Sequence, residues 1–191
     1  MGRTALVTVG STEFTALVSV ALSPSFISQL AASLNVTSLY AQIGTSKLPH
    51  GSEIGARTLG GVEIEVVRFA NDLEQRVAAA DLVVSHAGAG SILSFLRPVP
   101  APSPTCATTA RERRLIVVPN DSLMDSHQSD LADEMERKGW AIVCRDPEGL
   151  AKTVDELARS RSSGPSSVEH RFPDLDKGKV QRIFDETLGL A

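Results

Sequence analysis

Short apolar runs rich in β-branched residues alternate along this chain with longer stretches in which apolar residues recur at helical spacing. That alternation marks strands joined by crossover helices rather than by hairpins, and it predicts an α/β fold around a parallel sheet. The expected strands are Ala5–Val9, Ser38–Gln42, Ile64–Phe69, Leu82–Ser85, Leu115–Pro119 and Ala141–Cys144. In an open parallel sheet, ligands sit beyond the carboxyl ends of strands, where loops meet helix N-termini carrying unpaired amides. The residues expected to carry chemistry are therefore those just after Val9, Ser85 and Pro119.

Two stretches break the alternation. From Arg97 to Arg113, with Pro98, Pro100, Pro102 and Pro104, neither period is present, and a long exposed loop over 97–113 is expected. The run Arg161-Ser162-Ser163-Gly164-Pro165-Ser166-Ser167 then separates a main domain, 1–160, from the C-terminal end, with 161–173 as linker. Beyond it Val180, Ile183, Phe184 and Leu188 recur at helical spacing, so 174–191 is expected to form an amphipathic helix. Such a helix packs either on its own domain or on a partner.

Composition narrows the class. The 191 residues are 42% hydrophobic with a formal net charge of -4, which suits one soluble domain and not a disordered chain. Mild acidity argues against a nucleic-acid binder working by bulk charge. The cysteines, Cys106 and Cys144, form no Cys-x-x-Cys pair, and a reducing compartment is the natural reading. The most apolar stretch, Thr15 to Leu22, falls far short of the ~18 residues that span a bilayer. Neither a signal peptide nor a lipid anchor is expected, so membrane association would come through a partner and not by direct insertion. The sequons at Asn35 and Asn120 carry no meaning in a cytosolic chain.

Three segments hold candidate chemistry. Gly10-Ser11-Thr12 follows the first strand and reads either as a phosphate or sugar cradle, or as a turn in which Ser11 or Thr12 caps the next helix. In Ser85-His86-Ala87-Gly88-Ala89-Gly90-Ser91, small residues let a pyrophosphate approach the backbone from Gly88 through Ala89 and Gly90 to Ser91. The third glycine of a dinucleotide fingerprint would fall on Leu93, and neither a P-loop nor a G-x-S-x-G elbow is present. NAD, ATP and a serine nucleophile lose ground. His86 is open to three roles: orienting a ligand, acting as a base, or hydrogen bonding within its loop. The third segment, Pro119-Asn120-Asp121-Ser122-Leu123-Met124-Asp125-Ser126-His127-Gln128, leads into a helix through Leu131 and Met135 that Asp125 or Ser126 would cap. His127 and Gln128 in its first turn would face the glycine loop, and a carboxamide suits sugar hydroxyls, which favours a sugar nucleotide. His50, His86, His127 and His170 lack metal-ligand spacing, and no metal site is expected.

Taken together, Leu6 to Thr12, Asp81 to Ser91 and Leu115 to Gln128 closely resemble one family, in the same order and over most of residues 4 to 144. It is the soluble catalytic subunit of the eukaryotic UDP-N-acetylglucosamine (UDP-GlcNAc) transferase that makes chitobiosyl-diphosphodolichol. The resemblance implies a Rossmann-like domain that forms the donor-binding half of a GT-B glycosyltransferase, similar to the C-terminal half of the bacterial transferase acting on undecaprenyl-linked muramyl peptide. The acceptor-binding half would be a separate membrane-anchored subunit. It would recruit this cytoplasmic chain to the cytosolic face of the endoplasmic reticulum membrane through Val180, Ile183, Phe184 and Leu188. By the same resemblance, Gly10, Ser11, Thr12 and Gly88 to Ser91 surround the UDP diphosphate, His127 and Gln128 contact the GlcNAc, and Asn120 shapes the rim. Relatives often carry a ribose-binding carboxylate where this chain has Ser94, and their link corresponding to 97–113 is shorter.

The implied reaction moves GlcNAc from UDP-GlcNAc to the 4-hydroxyl of GlcNAc-diphosphodolichol with inversion to a β linkage, the second step of lipid-linked oligosaccharide synthesis for N-glycosylation. No metal or cofactor is implied, UDP-GlcNAc being the donor substrate. Loop amides and helix N-termini would stabilise the departing diphosphate. His86 is the candidate base within this chain, although in related two-domain enzymes the base comes from the acceptor half. Two rivals stand beside this reading: a non-catalytic sugar-nucleotide-binding regulatory subunit, which Ser94 would favour, and a dinucleotide-dependent Rossmann enzyme, which Leu93 disfavours.

Overall fold

A computed structural model describes residues 2–98, 113–120 and 127–162. Seven strands form one sheet in the order β3-β4-β2-β1-β5-β6-β7. They are β1 (Arg3–Thr8), β2 (Val36–Gln42), β3 (Gly55–Leu59), β4 (Val62–Val67), β5 (Leu82–His86), β6 (Arg114–Val118) and β7 (Ile142–Val143). All pairs are parallel except β3 with β4. The helices are α1 (Thr15–Ala21), α2 (Pro24–Leu34), α3 (Leu73–Ala79), α4 (Ala89–Leu96), α5 (His127–Arg137) and α6 (Leu150–Ser162).

Strand alternation sorts the core into two layers. Ala5, Val7, Leu82, Val84, Ile116 and Val118 point to one face, where Leu17, Phe26, Ile27, Leu30, Val154 and Leu157 of α1, α2 and α6 cover them. Leu6, Val83, Leu115 and Val117 point to the other, against Val77, Ile92, Phe95, Ala132 and Met135 of α3, α4 and α5. With both faces covered, β1, β5 and β6 read as unbroken apolar runs, which is why their sequence signal is strong.

The α/β class and the Rossmann-like parallel core agree with expectation, but the edge does not. Gly60 and Gly61, at φ 58° and 80°, make a two-residue hairpin turn that adds antiparallel β3 beside β4. The rule of crossovers without hairpins fails there. Ile64–Phe69 is instead Val62–Val67, and Phe69 lies beyond the strand, 58% exposed. The last strand shrinks from Ala141–Cys144 to Ile142–Val143. The apolar stretch after Thr15 is divided at Pro24 into two short buried helices, and no single described helix is long and apolar enough to cross a membrane.

Residues 99–112, most of the expected loop, lie outside the described residues, but its return is anchored. Arg113 donates to the carbonyls of Val77 (2.6 Å) and Ala80 (3.2 Å) at the end of α3 and to Phe95 O (3.3 Å), and its guanidinium stacks on the Phe95 ring. The remainder of the linker and the expected 174–191 helix, with Val180, Ile183, Phe184 and Leu188, also lie outside the described residues.

The chain runs outward from β1 to β2 and on to the edge strand β3, turns back into β4 between them, and then crosses to build β5, β6 and β7 on β1's other side. Strand order therefore reverses between β1 and β5, and the loops leaving those two strands diverge there. Such switch points are where open α/β sheets bind ligands.

Candidate functional site

The loop after β1 is held by hydrogen bonds from inside the sheet. Gly10, at φ 63°, donates its N–H to Thr8 Oγ1 (3.1 Å), the Thr8 hydroxyl donates to Gln42 Oε1, and Gln42 Nε2 donates to Gly10 O (2.6 Å). Gln42 Nε2 also donates to Arg68 O (3.0 Å). Thr12 turns its hydroxyl back to Val9 O (2.8 Å). Neither Ser11 nor Thr12 caps α1: the cap position is Phe14, with no side-chain cap, and Phe14 N–H donates to Ser46 Oγ (2.8 Å) from the loop after β2. The amide of the cap residue is thus held by a hydroxyl from another strand's loop, and the expected side-chain cap is not formed. Gly10's own N–H faces inward, whereas the N–H groups of Ser11 and Glu13 meet no acceptor among the described residues.

A second loop backs the first. Gly44, at φ 54°, lies so near that a Cβ on it would stand 2.8 Å from Gly10 O. Arg68 Nη1 donates to the carbonyls of Gly44 (3.1 Å) and Ser46 (3.2 Å), fastening this loop to the end of β4.

After β5, Gly88 N–H folds back to His86 O (2.8 Å), and α4 opens with Ala89, Gly90 and Ser91 ahead of its first backbone bond, Ile92 N–H to Gly88 O (3.2 Å). No side chain caps this end and no acid lies in its first turn, so the amides of Ala89, Gly90 and Ser91 present the positive end of the helix dipole. Ser94, one turn on, commits its hydroxyl to Gly90 O (2.9 Å).

His86 sits between the two glycine loops and is 6% exposed. A Cβ on Gly10 would stand 2.7 Å from its Cε1, and one on Gly88 would collide with its Nε2. Its Nδ1 is buried without a hydrogen-bond partner. Burial pushes the imidazole pKa below its ordinary value, the Thr8 backbone opposing in part, and the ring is neutral at pH 7. Its packing between the two loops was not among the three roles expected of His86.

The loop after β6 closes over the first. Asn120, 1% exposed, donates from Nδ2 to Glu13 O (3.0 Å), and its N–H donates to Gln128 Oε1 (3.1 Å) in the first turn of α5. The Nε2 of Gln128 meets no acceptor among the described residues, and His127 beside it is exposed. Asp121 to Ser126, including the expected caps Asp125 and Ser126, lie outside the described residues.

The structure thus brings Gly10 and Gly88 together around His86, joins Asn120 to Gln128 and to Glu13, and turns Thr12 back onto Val9. Sequence reasoning missed Thr8, Gln42, Gly44 and Ser46. A signal existed, because Gln42 ends an expected strand and is followed by Ile43-Gly44-Thr45-Ser46, the same small and polar pattern that marked the other loops. Chemically, the arrangement offers neutral donors, amides and one carboxamide, to an anionic and hydroxyl-rich ligand. Among the described residues, no three His, Cys, Asp or Glu side chains gather so as to hold a metal.

Residues 4–99 match the glycosyltransferase family 28 C-terminal domain. Over 210 aligned residues the chain is 36% identical to the UDP-N-acetylglucosamine transferase subunit ALG13 of Cryptococcus neoformans var. neoformans, covering 97% of this chain and 96% of that protein. The chain belongs to the ALG13 family. An NMR solution structure of ALG13 aligns over 97% of this chain and 96% of its own, with TM-score 0.55 and 25% identity. The crystal structure of Acinetobacter baumannii MurG aligns with TM-score 0.55 over 85% of this chain and 42% of its own; at 19% identity it shares the fold. The ALG13 family and these neighbours make the domain Rossmann-like, of the GT-B glycosyltransferase class.

Proposed function

We propose that this chain is the donor-binding, catalytic subunit of a two-subunit transferase that moves GlcNAc from UDP-GlcNAc to GlcNAc-diphosphodolichol, inverting at the anomeric carbon to give a β1,4 linkage. The observation that carries this reading is the gathering of outward amides at the switch point: Ser11 and Glu13 on one loop, Ala89 to Ser91 on the other. As the glycosidic bond to UDP breaks, negative charge grows on the diphosphate, and fixed N–H dipoles stabilise it with no reorganisation of their own. Gln128, its Oε1 occupied by Asn120 N–H, offers Nε2 donors to the sugar. No metal or other cofactor enters this scheme.

The acceptor hydroxyl must lose a proton. His86 is neutral, as a base must be, but it is packed between the backbones of Gly10 and Gly88. We place the base on the acceptor-binding subunit and give His86 the task of spacing the two loops. That membrane-anchored partner brings the lipid-linked acceptor and holds this chain at the cytosolic face of the endoplasmic reticulum, with Val180, Ile183, Phe184 and Leu188 as the proposed contact.

One observation favours the non-catalytic regulatory reading: the Ser94 hydroxyl is turned onto Gly90 O. A single assay separates the two. Membranes carrying the anchoring subunit are given UDP-[radiolabelled GlcNAc] and GlcNAc-diphosphodolichol, with and without this purified chain. Organic-soluble label that depends on the chain is expected; no label, although the two subunits bind each other, would replace the catalytic reading with the regulatory one.

A further inference from the structure

Gln42 is among the buried polar side chains that the proposed mechanism leaves unused. Gln42 is 3% exposed at the end of β2, a strand that contributes no expected ligand contact. Burying a carboxamide is costly unless its polar atoms are satisfied. Here they are spent largely on a single residue: Gly10 N–H reaches Gln42 Oε1 through the Thr8 hydroxyl, and Gly10 C=O accepts directly from Gln42 Nε2 at 2.6 Å. Both polar groups of Gly10 are therefore held in a closed circuit by two side chains from paired positions, Thr8 opposite Gln42.

A glycine at φ 63° has no side chain to fix it, and its following peptide group is free to turn over unless something holds it. That peptide group contains both Gly10 C=O and Ser11 N–H. In a trans peptide the two point in opposite directions. Pinning Gly10 C=O inward on Gln42 consequently directs Ser11 N–H outward, away from the sheet, where it meets no acceptor among the described residues.

Resting on the donor-binding reading above, we propose that Gln42 is a positioning residue: through the Gly10 carbonyl it aims the Ser11 amide at the phosphates of the nucleotide. It touches no ligand itself. Its contribution is expected to fall on the phosphate part of the ligand, since of its two carbonyl partners, Gly10 O and Arg68 O, it is Gly10 whose peptide group carries the Ser11 N–H.

The test compares UDP with uridine, by calorimetry and by competition, on the full chain and on Gln42→Met, which keeps the side-chain length and removes both the acceptor and the donors. UDP affinity is expected to fall about tenfold, as for loss of one charge-assisted hydrogen bond, with uridine affinity changed less than twofold. A parallel fall for both ligands would make Gln42 merely structural, and an unchanged UDP affinity would also overturn the proposal. Should Gln42→Met not fold, Gln42→Leu removes the same donors and acceptor with a smaller apolar side chain and carries the same expectation. Absence of UDP binding by the unaltered chain would refute the donor-binding reading, and this inference with it; a failure of the inference alone shows only in the variants.

Discussion

His86 Nε2 stands where a Cβ on Gly88 would sit. Gly88 has φ −87° and ψ 127°, a conformation open to every residue, so glycine is required by the imidazole and not by the backbone. Gly88→Ala is expected to destabilise the chain by about 1–3 kcal/mol, the usual cost of forcing extra volume into a packed site. In a His86→Ala background the same change should cost little. Urea denaturation of the four proteins in this cycle measures the coupling, and equal costs in both backgrounds would show that the ring does not dictate the glycine.

The same ring makes stability depend on pH. Its folded pKa is depressed by burial, so as pH falls below about 6.5 the unfolded chain takes up the proton first. The His86 contribution is full above that value and is lost as pH drops through the lower folded pKa. Stability of the unaltered chain is expected to decline more steeply below pH 6.5 than that of His86→Phe. Parallel melting temperatures for the two proteins across this range would count against a buried neutral imidazole.

Asn120 joins the loop after β6 to the loop after β1. Asn120→Ala leaves the Glu13 carbonyl without this donor and should cost about 1–3 kcal/mol. Asn120→Asp should cost more, since a carboxylate then faces a carbonyl oxygen. Both are expected to weaken UDP binding, because Glu13 N–H belongs to the loop they release. Chemical denaturation and calorimetry check each part, and unaltered UDP affinity in both variants would separate the rim from the site.

The Gln128 oxygen is used within the chain, which leaves donors alone for the proposed sugar contact. Gln128→Glu can still accept from Asn120 N–H but has lost the Nε2 donors. Selectivity for UDP-GlcNAc over UDP-glucose is expected to fall about tenfold, roughly the value of one hydrogen bond. Gln128→Ala should lose that selectivity and some stability as well. Competition between the two donors gives the ratio, and a ratio unchanged in both variants would remove Gln128 from the sugar site.

These residues differ in how visible they are before folding. β1, β5 and β6 announce themselves as apolar runs because helices cover both their faces, whereas Gly55-Ala56-Arg57-Thr58-Leu59 lies at an exposed edge and carries no such pattern. Its only signal is the Gly60-Gly61 pair that follows. The glycine loops were legible as small residues after strands. The part played by Gln42 was not, because it follows from β2 lying beside β1 with Thr8 opposite Gln42, and nothing local fixes that pairing. Phe14 N–H likewise finds its acceptor in Ser46, a partner 32 positions away, so inspection of the neighbouring Ser11 and Thr12 pointed to the wrong cap.

β1 lies in the middle of the sheet, flanked by β2 and β5. During synthesis it leaves the ribosome first, yet its second neighbour emerges only after the whole β2–α3 segment has been made. A nascent chain ending before Ser85 carries the Gly10 loop with one wall missing, and one ending before Asn120 lacks the clasp on Glu13. The proposed nucleotide site would therefore be walled on both sides only after β5 has joined β1, and clasped only after β6 has brought Asn120 to Glu13.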